Sequence, residues 1–103
     1  MKIIKVVSER IKEEINDADV YINLATEWKA EQPEAAAVFY ELSTQEIRHA
    51  EMLHEVVTKL ISEYRETNGE PPVAMLALYD YLHGQEIENT MRVKVKQGMY
   101  TAA

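Results

Sequence analysis

A helical apolar period with helix-breaking residues at only two places constrains this chain more than any other property. Apolar residues recur at alternating steps of three and four through Ile4, Val7, Ile11, Ala18, Tyr21, Ala25 and Trp28. The same spacing returns through Ala35, Phe39, Leu42, Leu53, Val56 and Leu60. It keeps one stripe of a helix apolar, and Ile15 and Ile22 widen the first stripe beyond a coiled-coil seam, as a bundle helix requires. The first interruption is Glu31-Gln-Pro-Glu34. Pro33 has no amide hydrogen for a helix interior but suits the first turn of a new helix. The second is Asn68-Gly69, a left-handed helix stop, followed by the stiff Glu70-Pro-Pro72. Three helices are therefore expected: about Ile3 to Gln32, Pro33 to Glu66 or Thr67, and Val73 to Gly98, with Tyr100 to Ala103 fraying. The third has the seam Met75, Tyr79, Leu82, Glu86, Asn89 and Val93, and Gly84 inside it marks a kink or a close neighbour. The expectation is an all-α fold, a single helical domain over residues 1–103. Three helices fall one short of a four-helix bundle, so completion by dimerisation is expected.

Three polar residues break the first two seams. Glu14 stands in the first, and Glu46 and His49 stand one turn apart in the second. Pro33 makes the first two helices a short-linked antiparallel hairpin. Glu14 lies about eighteen residues before the turn, and Glu46 and His49 about fourteen and seventeen after it. At ~1.5 Å per residue all three reach roughly the same height. A carboxylate or imidazole at a core position needs a partner, because an unpaired buried charge costs several kcal/mol, roughly. Two answers fit: a bound metal, or a Glu–His hydrogen-bonded network that includes Tyr21. Carboxylate oxygen with imidazole nitrogen suits iron, manganese or zinc.

The rest of the composition removes other classes. The formal net charge of -7 opposes nucleic-acid binding, which requires a basic face, and Met91-Arg-Val-Lys-Val-Lys96 is too short to supply one. With no cysteine there are no disulfides, thiolate nucleophiles or cysteine-held metals. The opening Lys2-Ile-Ile-Lys-Val-Val7 is too short and too charged for a leader or a membrane span. A cytoplasmic protein without membrane contact is expected. No nucleophile stands beside a base and no glycine-rich phosphate loop occurs, which opposes hydrolase and nucleotide-binding readings. Glu51 and His54 repeat the Glu-x-x-His spacing, but on a face turned about 140° from Glu46, where a solvated pair is expected. His83 and Glu86 also have ligand spacing, with Glu86 the weaker metal candidate.

Glu14 with Tyr21 seven residues on, then Glu46-Ile-Arg-His49-Ala50-Glu51, resembles the ferritin-like superfamily, nearest its rubrerythrin-type branch; Ala25, Ala37 and Phe39 fit that pattern. The resemblance covers about residues 1–62, the leading helix pair of that fold. It implies a ferritin-like helical bundle in which Glu14, Glu46 and His49 are metal ligands. It also implies that Tyr21 hydrogen-bonds in the core beside them. The implied chemistry is oxidation of ferrous iron, or removal of peroxide, with an external electron donor because no cysteine-ligated iron domain is present. A second ligand set is lacking, since Glu86 and Asn89 hold the corresponding spacing without a histidine. The direction of the third helix stays open: a second helix ending near Ile61 would let Ser62 to Val73 cross the bundle, as the family's long connector does. A homodimer would double the three residues to four carboxylates and two histidines, the inventory of a two-metal carboxylate site.

Three functional classes follow. One is a metal-binding oxidoreductase active as a homodimer. Another is a structural or interaction protein that keeps the hairpin and has lost the chemistry. The third is iron storage, which would need many subunits or an external shell.

Overall fold

The computed structural model describes residues 2–102. Three helices account for nearly all of them: α1 (Lys2–Trp28), α2 (Pro33–Asn68) and α3 (Val73–Ala102). The fold is all-α, as expected, with no strand among the described residues. No helix among them is long and apolar enough to cross a membrane.

α1 stops at Trp28, four residues short of the expected end, because the chain must turn before Pro33. The Gln32 amide closes the turn onto the Trp28 carbonyl at 2.8 Å, and Pro33 opens α2. α2 ends at Gly69, whose φ of 77° and ψ of -164° are open only to glycine, and whose amide donates to the Arg65 carbonyl at 3.1 Å. The Pro72 carbonyl then accepts from Met75 and Leu76 to start α3. Two short connections make an up-down-up arrangement, with α3 antiparallel to α2.

α1 and α2 pack through small residues. Ala18, Ala25, Ala36 and Ser43 are wholly buried, with Ile11, Ile15, Ile22, Ile47, Ala50, Val57 and Ile61 around them. The buried stripe of α2 therefore runs one residue away from the expected seam. Large residues at that seam, such as Phe39 and Leu53, border the core rather than fill it. Trp28, on the expected seam of α1, is exposed, as are Met52, Met91 and Met99.

α3 is held less deeply, with only Val93 and Gln97 buried. Its C-terminal half carries the polar attachments. Gln97 Nε2 donates to Ser43 Oγ at 2.9 Å, and Ser43 donates to the Ala18 carbonyl at 2.7 Å, so one chain of hydrogen bonds joins all three helices. Lys96 donates to Asp19 and Asn23. Tyr100 stacks on Tyr40 with ring centroids 5.0 Å apart, and its carbonyl accepts from Lys29, whose ammonium also lies over the Tyr100 ring. These contacts keep Tyr100 to Ala102 helical instead of frayed. Towards its N-terminus α3 diverges from α1 and leaves a largely apolar groove of about 570 Å³, bordered by Ile4, Ile15, Met75, Tyr79 and Leu82. Nothing in the chain approaches within 4 Å of a Cβ placed on Gly84, so no close neighbour explains that glycine.

Candidate metal centre

The hairpin has two faces. Asp19 and Ser43 mark the one covered by α3. Glu14 lies ~140° round α1 from Asp19, so it belongs to the opposite, open flank. Val7, Glu14, Tyr21 and Trp28 line that flank on α1 at heptad spacing, and Phe39, Glu46, His49, Leu53 and Val56 line it on α2.

Glu14, Glu46 and His49 meet there as the rise-per-residue count requires. Each offers a ligand atom within 4.8 Å of the others. His49 Nδ1 lies 3.9 Å from Glu14 Oε2 and 3.7 Å from Glu46 Oε1, too long for hydrogen bonds but converging on both carboxylates. Their burial differs from a core position. The two carboxylates are mostly covered, whereas the His49 side chain is 53% exposed. The expectation that all three stand in the core is corrected: they stand at its edge, on the open flank.

The two carboxyl groups lie side by side, close enough for a hydrogen bond between them when one keeps its proton. That bond, with burial and the Glu14 charge adding to it, pushes Glu46 up to about 7. The same bond holds Glu14 below the usual carboxylate range, with Arg10 and His49 helping. Arg10 binds the remaining oxygen of Glu14, Oε1, at 2.9 Å and also pairs with Glu13. Glu14, Glu46 and His49 thus bring two carboxylate oxygens and an imidazole nitrogen within 4.8 Å of one another. This donor set fits a first-row divalent ion. Tyr21 lies on the same flank, half-buried, with no hydrogen bond joining it to the three.

A second grouping was not anticipated. His54, expected on a solvated face beside Glu51, is half-buried against α3, and only Glu51 behaves as expected, exposed and paired with Lys94. The His54 ring stacks on His83 at 4.3 Å, and His83 stacks in turn on Tyr79 at 5.7 Å. Glu86 completes a set whose ligand atoms also lie within 4.8 Å of one another. Burial pushes Glu86 up to about 7 and holds His54 below the usual histidine range, with His83 adding to the latter. Glu86 is not part of the first group, because antiparallel α3 places it beside His54, eight residues and ~12 Å beyond Glu46 along α2. The stack itself was invisible in the sequence, since it depends on the register of α3 against α2.

The sequence model of the rubrerythrin family matches residues 5–100, and so extends past the leading hairpin through most of α3. No curated protein and no solved structure shows significant similarity to the chain.

Proposed function

The chain belongs to the rubrerythrin family, and on that premise we propose that Glu14, Glu46 and His49 are metal ligands of an iron-dependent oxidoreductase whose working unit is a homodimer. The observation that carries this reading is the convergence of two carboxylates and an imidazole at the edge of the core, open to a further surface. A network closed on itself would satisfy the histidine, whereas His49 reaches neither carboxylate within hydrogen-bonding distance.

Three ligands are half of a two-metal set. The open flank that holds them exposes Ile3, Trp28 and Val56, apolar groups that a second hairpin would cover. A two-fold axis through that flank would bring two copies of the triad together. Iron bound there would supply electron exchange with oxygen or peroxide, and an external donor would return the electrons. The chain's own residues have the remaining tasks. Glu46 gives up its proton when a cation enters, and Arg10 holds the Glu14 carboxylate so that one oxygen stays turned inward. His49, the most exposed of the three, faces the entry side. Manganese or zinc would suit the same donors.

The test is iron content per chain after anaerobic reconstitution, with the mass in solution, for the protein and for His49→Ala. A dimer that holds one iron per chain more than His49→Ala is the expected result. Equal iron in both, or no dimer, would overturn the reading. A non-catalytic structural protein then becomes the better account, and it gains support if Glu46→Gln leaves assembly and stability unchanged.

A further inference from the structure

Among the described residues, one side-chain polar atom is shut off from solvent with no hydrogen-bond partner: Nδ1 of His83. It faces Glu86 Oε2 across 3.9 Å, beyond hydrogen-bonding distance. Glu86 is itself only 16% exposed, and among the described residues no lysine or arginine pairs with it. A buried nitrogen and a buried carboxylate oxygen each cost about 1–3 kcal/mol or more when left unsatisfied. The direct remedy, a hydrogen bond between them, is not made. His54 closes the third side from α2, its ring parallel to His83 within 8°.

We propose that His54, His83 and Glu86 form a binding site for a single divalent first-row transition cation, made within one chain and separate from the centre at Glu14, Glu46 and His49. Two imidazoles and one carboxylate are a ligand set for zinc or iron(II), with further positions left to water. Calcium and magnesium, which take mainly oxygen ligands, are disfavoured. Ligand atoms around an ion with bonds of about 2.0–2.1 Å sit roughly 3–3.5 Å apart, so the His83–Glu86 pair needs to close by only about half an ångström. The two rings must also swing out of parallel, because stacked imidazoles direct their lone pairs side by side. Tyr79, stacked on His83 with ring centroids 5.7 Å apart, limits that swing.

Bound metal would join α2 to α3 in the half of α3 that the polar attachments do not reach. Those attachments, through Lys96, Gln97 and Tyr100, all lie at the other end. The site therefore acts as a clasp for the end of α3 that borders the groove with α1. It needs no partner subunit, which distinguishes it from the first centre.

The test uses Glu46→Ala/His49→Ala, which removes two exposed-flank donors of the first centre and leaves the α2–α3 contact intact. This variant is titrated with cobalt(II) and, separately, with zinc chloride. Expected are one cobalt per chain with visible d–d absorption, and a rise in Tm with zinc. Adding His83→Gln or Glu86→Gln should weaken cobalt binding by at least about tenfold and abolish the zinc-dependent rise. His54→Gln serves as a third variant, and far-UV circular dichroism confirms that each remains helical. If Glu46→Ala/His49→Ala binds no cobalt, or if its binding survives all three further substitutions, the proposal is overturned. Failure of the first centre reads out separately, as iron content unchanged by His49→Ala.

Discussion

Ser43 and Gln97 allow a quantitative test of what holds α3 in register, and hence of what sets His83 and Glu86 beside His54. Ser43 is wholly buried and does two things: it donates to the Ala18 carbonyl at 2.7 Å and accepts from Gln97 Nε2 at 2.9 Å. The two ends of this chain are not equivalent. Ser43→Ala deletes both bonds and leaves the Gln97 amide without a partner at a position 9% exposed. Leaving a buried donor unsatisfied costs about 1–3 kcal/mol, so about 2 kcal/mol is expected. Gln97→Met keeps the volume and removes the donor with its need, leaving Ser43 bonded to Ala18, and about 1 kcal/mol is expected. In Ser43→Ala/Gln97→Met no orphan remains, so the double substitution should cost about 1 kcal/mol less than the sum of the singles. Urea unfolding followed by far-UV circular dichroism, at one fixed chain concentration and with chelator present, measures all four proteins. Each kcal/mol should appear as roughly 4–8 °C in Tm for a domain of this size. Simple additivity, or a Ser43→Ala cost no greater than that of Gln97→Met, would refute the reasoning, since both follow from the orphaned amide.

Two glycines should respond in opposite directions. Gly69→Ala is expected to destabilise by about 1–3 kcal/mol, because its φ of 77° and ψ of -164° strain any residue with a Cβ although nothing lies within 4 Å. Gly84→Ala, in open space within α3, should stabilise by about 0.5–1 kcal/mol, and thermal melts decide both. Glu86 should make the metal-free protein less stable as pH rises. Its folded pKa is raised from 4.5 to about 7, so the folded state retains a proton that the unfolded state has released. Its contribution is thus fully present below about 4.5 and lost as pH climbs through about 7. A drop of about 2 kcal/mol is expected across that window, allowing for residual solvent contact. Urea midpoints measured along a pH series should show this slope flattened in Glu86→Gln, and an unchanged slope would count against the burial of Glu86.

The helix count, both stops and the common level of Glu14, Glu46 and His49 were legible because each depends on local chemistry. Pro33 and Gly69 fix where the helices break, and a constant rise per residue does the rest. The face on which the three residues sit was harder to read. α2 carries two adjacent stripes, Phe39-Leu42-Glu46-His49-Leu53-Val56 and Ala36-Ser43-Ile47-Ala50-Val57. Counting large apolar residues favours the first, but close helix packing favours small ones. Ala36, Ser43 and Ala50 recur at heptad spacing, as do Ile11, Ala18 and Ala25 on α1, and that small-residue pattern was the signal available for the true core. Nothing comparable announced the His54–His83 stack. It arises from the pairing of α2 with α3, which a short loop and the Ser43–Gln97 bond determine together.

The displacement of the triad to the open flank has a consequence for assembly. Had Glu14, Glu46 and His49 pointed between α1 and α2, a single chain would surround any bound ion. Facing outward, they leave the ion exposed on the side a second hairpin would occupy, so iron affinity should depend on chain concentration. A chain diluted below the dimer dissociation constant should hold iron more weakly, and added iron should in turn favour the dimer, because the two equilibria are linked. Val56 is 43% exposed on this flank, seven residues beyond His49, and is itself a ligand of neither proposed centre. In a chain of net charge -7, Val56→Glu places two further charges at a two-fold interface. It should shift the mass in solution to that of the monomer and lower iron affinity at the Glu14 centre by at least about tenfold, with helicity retained. Sedimentation velocity run beside an iron titration at several chain concentrations distinguishes the cases. An iron isotherm independent of concentration, and unchanged in a monomeric Val56→Glu, would mean that three ligands from one chain suffice and that the dimer plays no part in the centre.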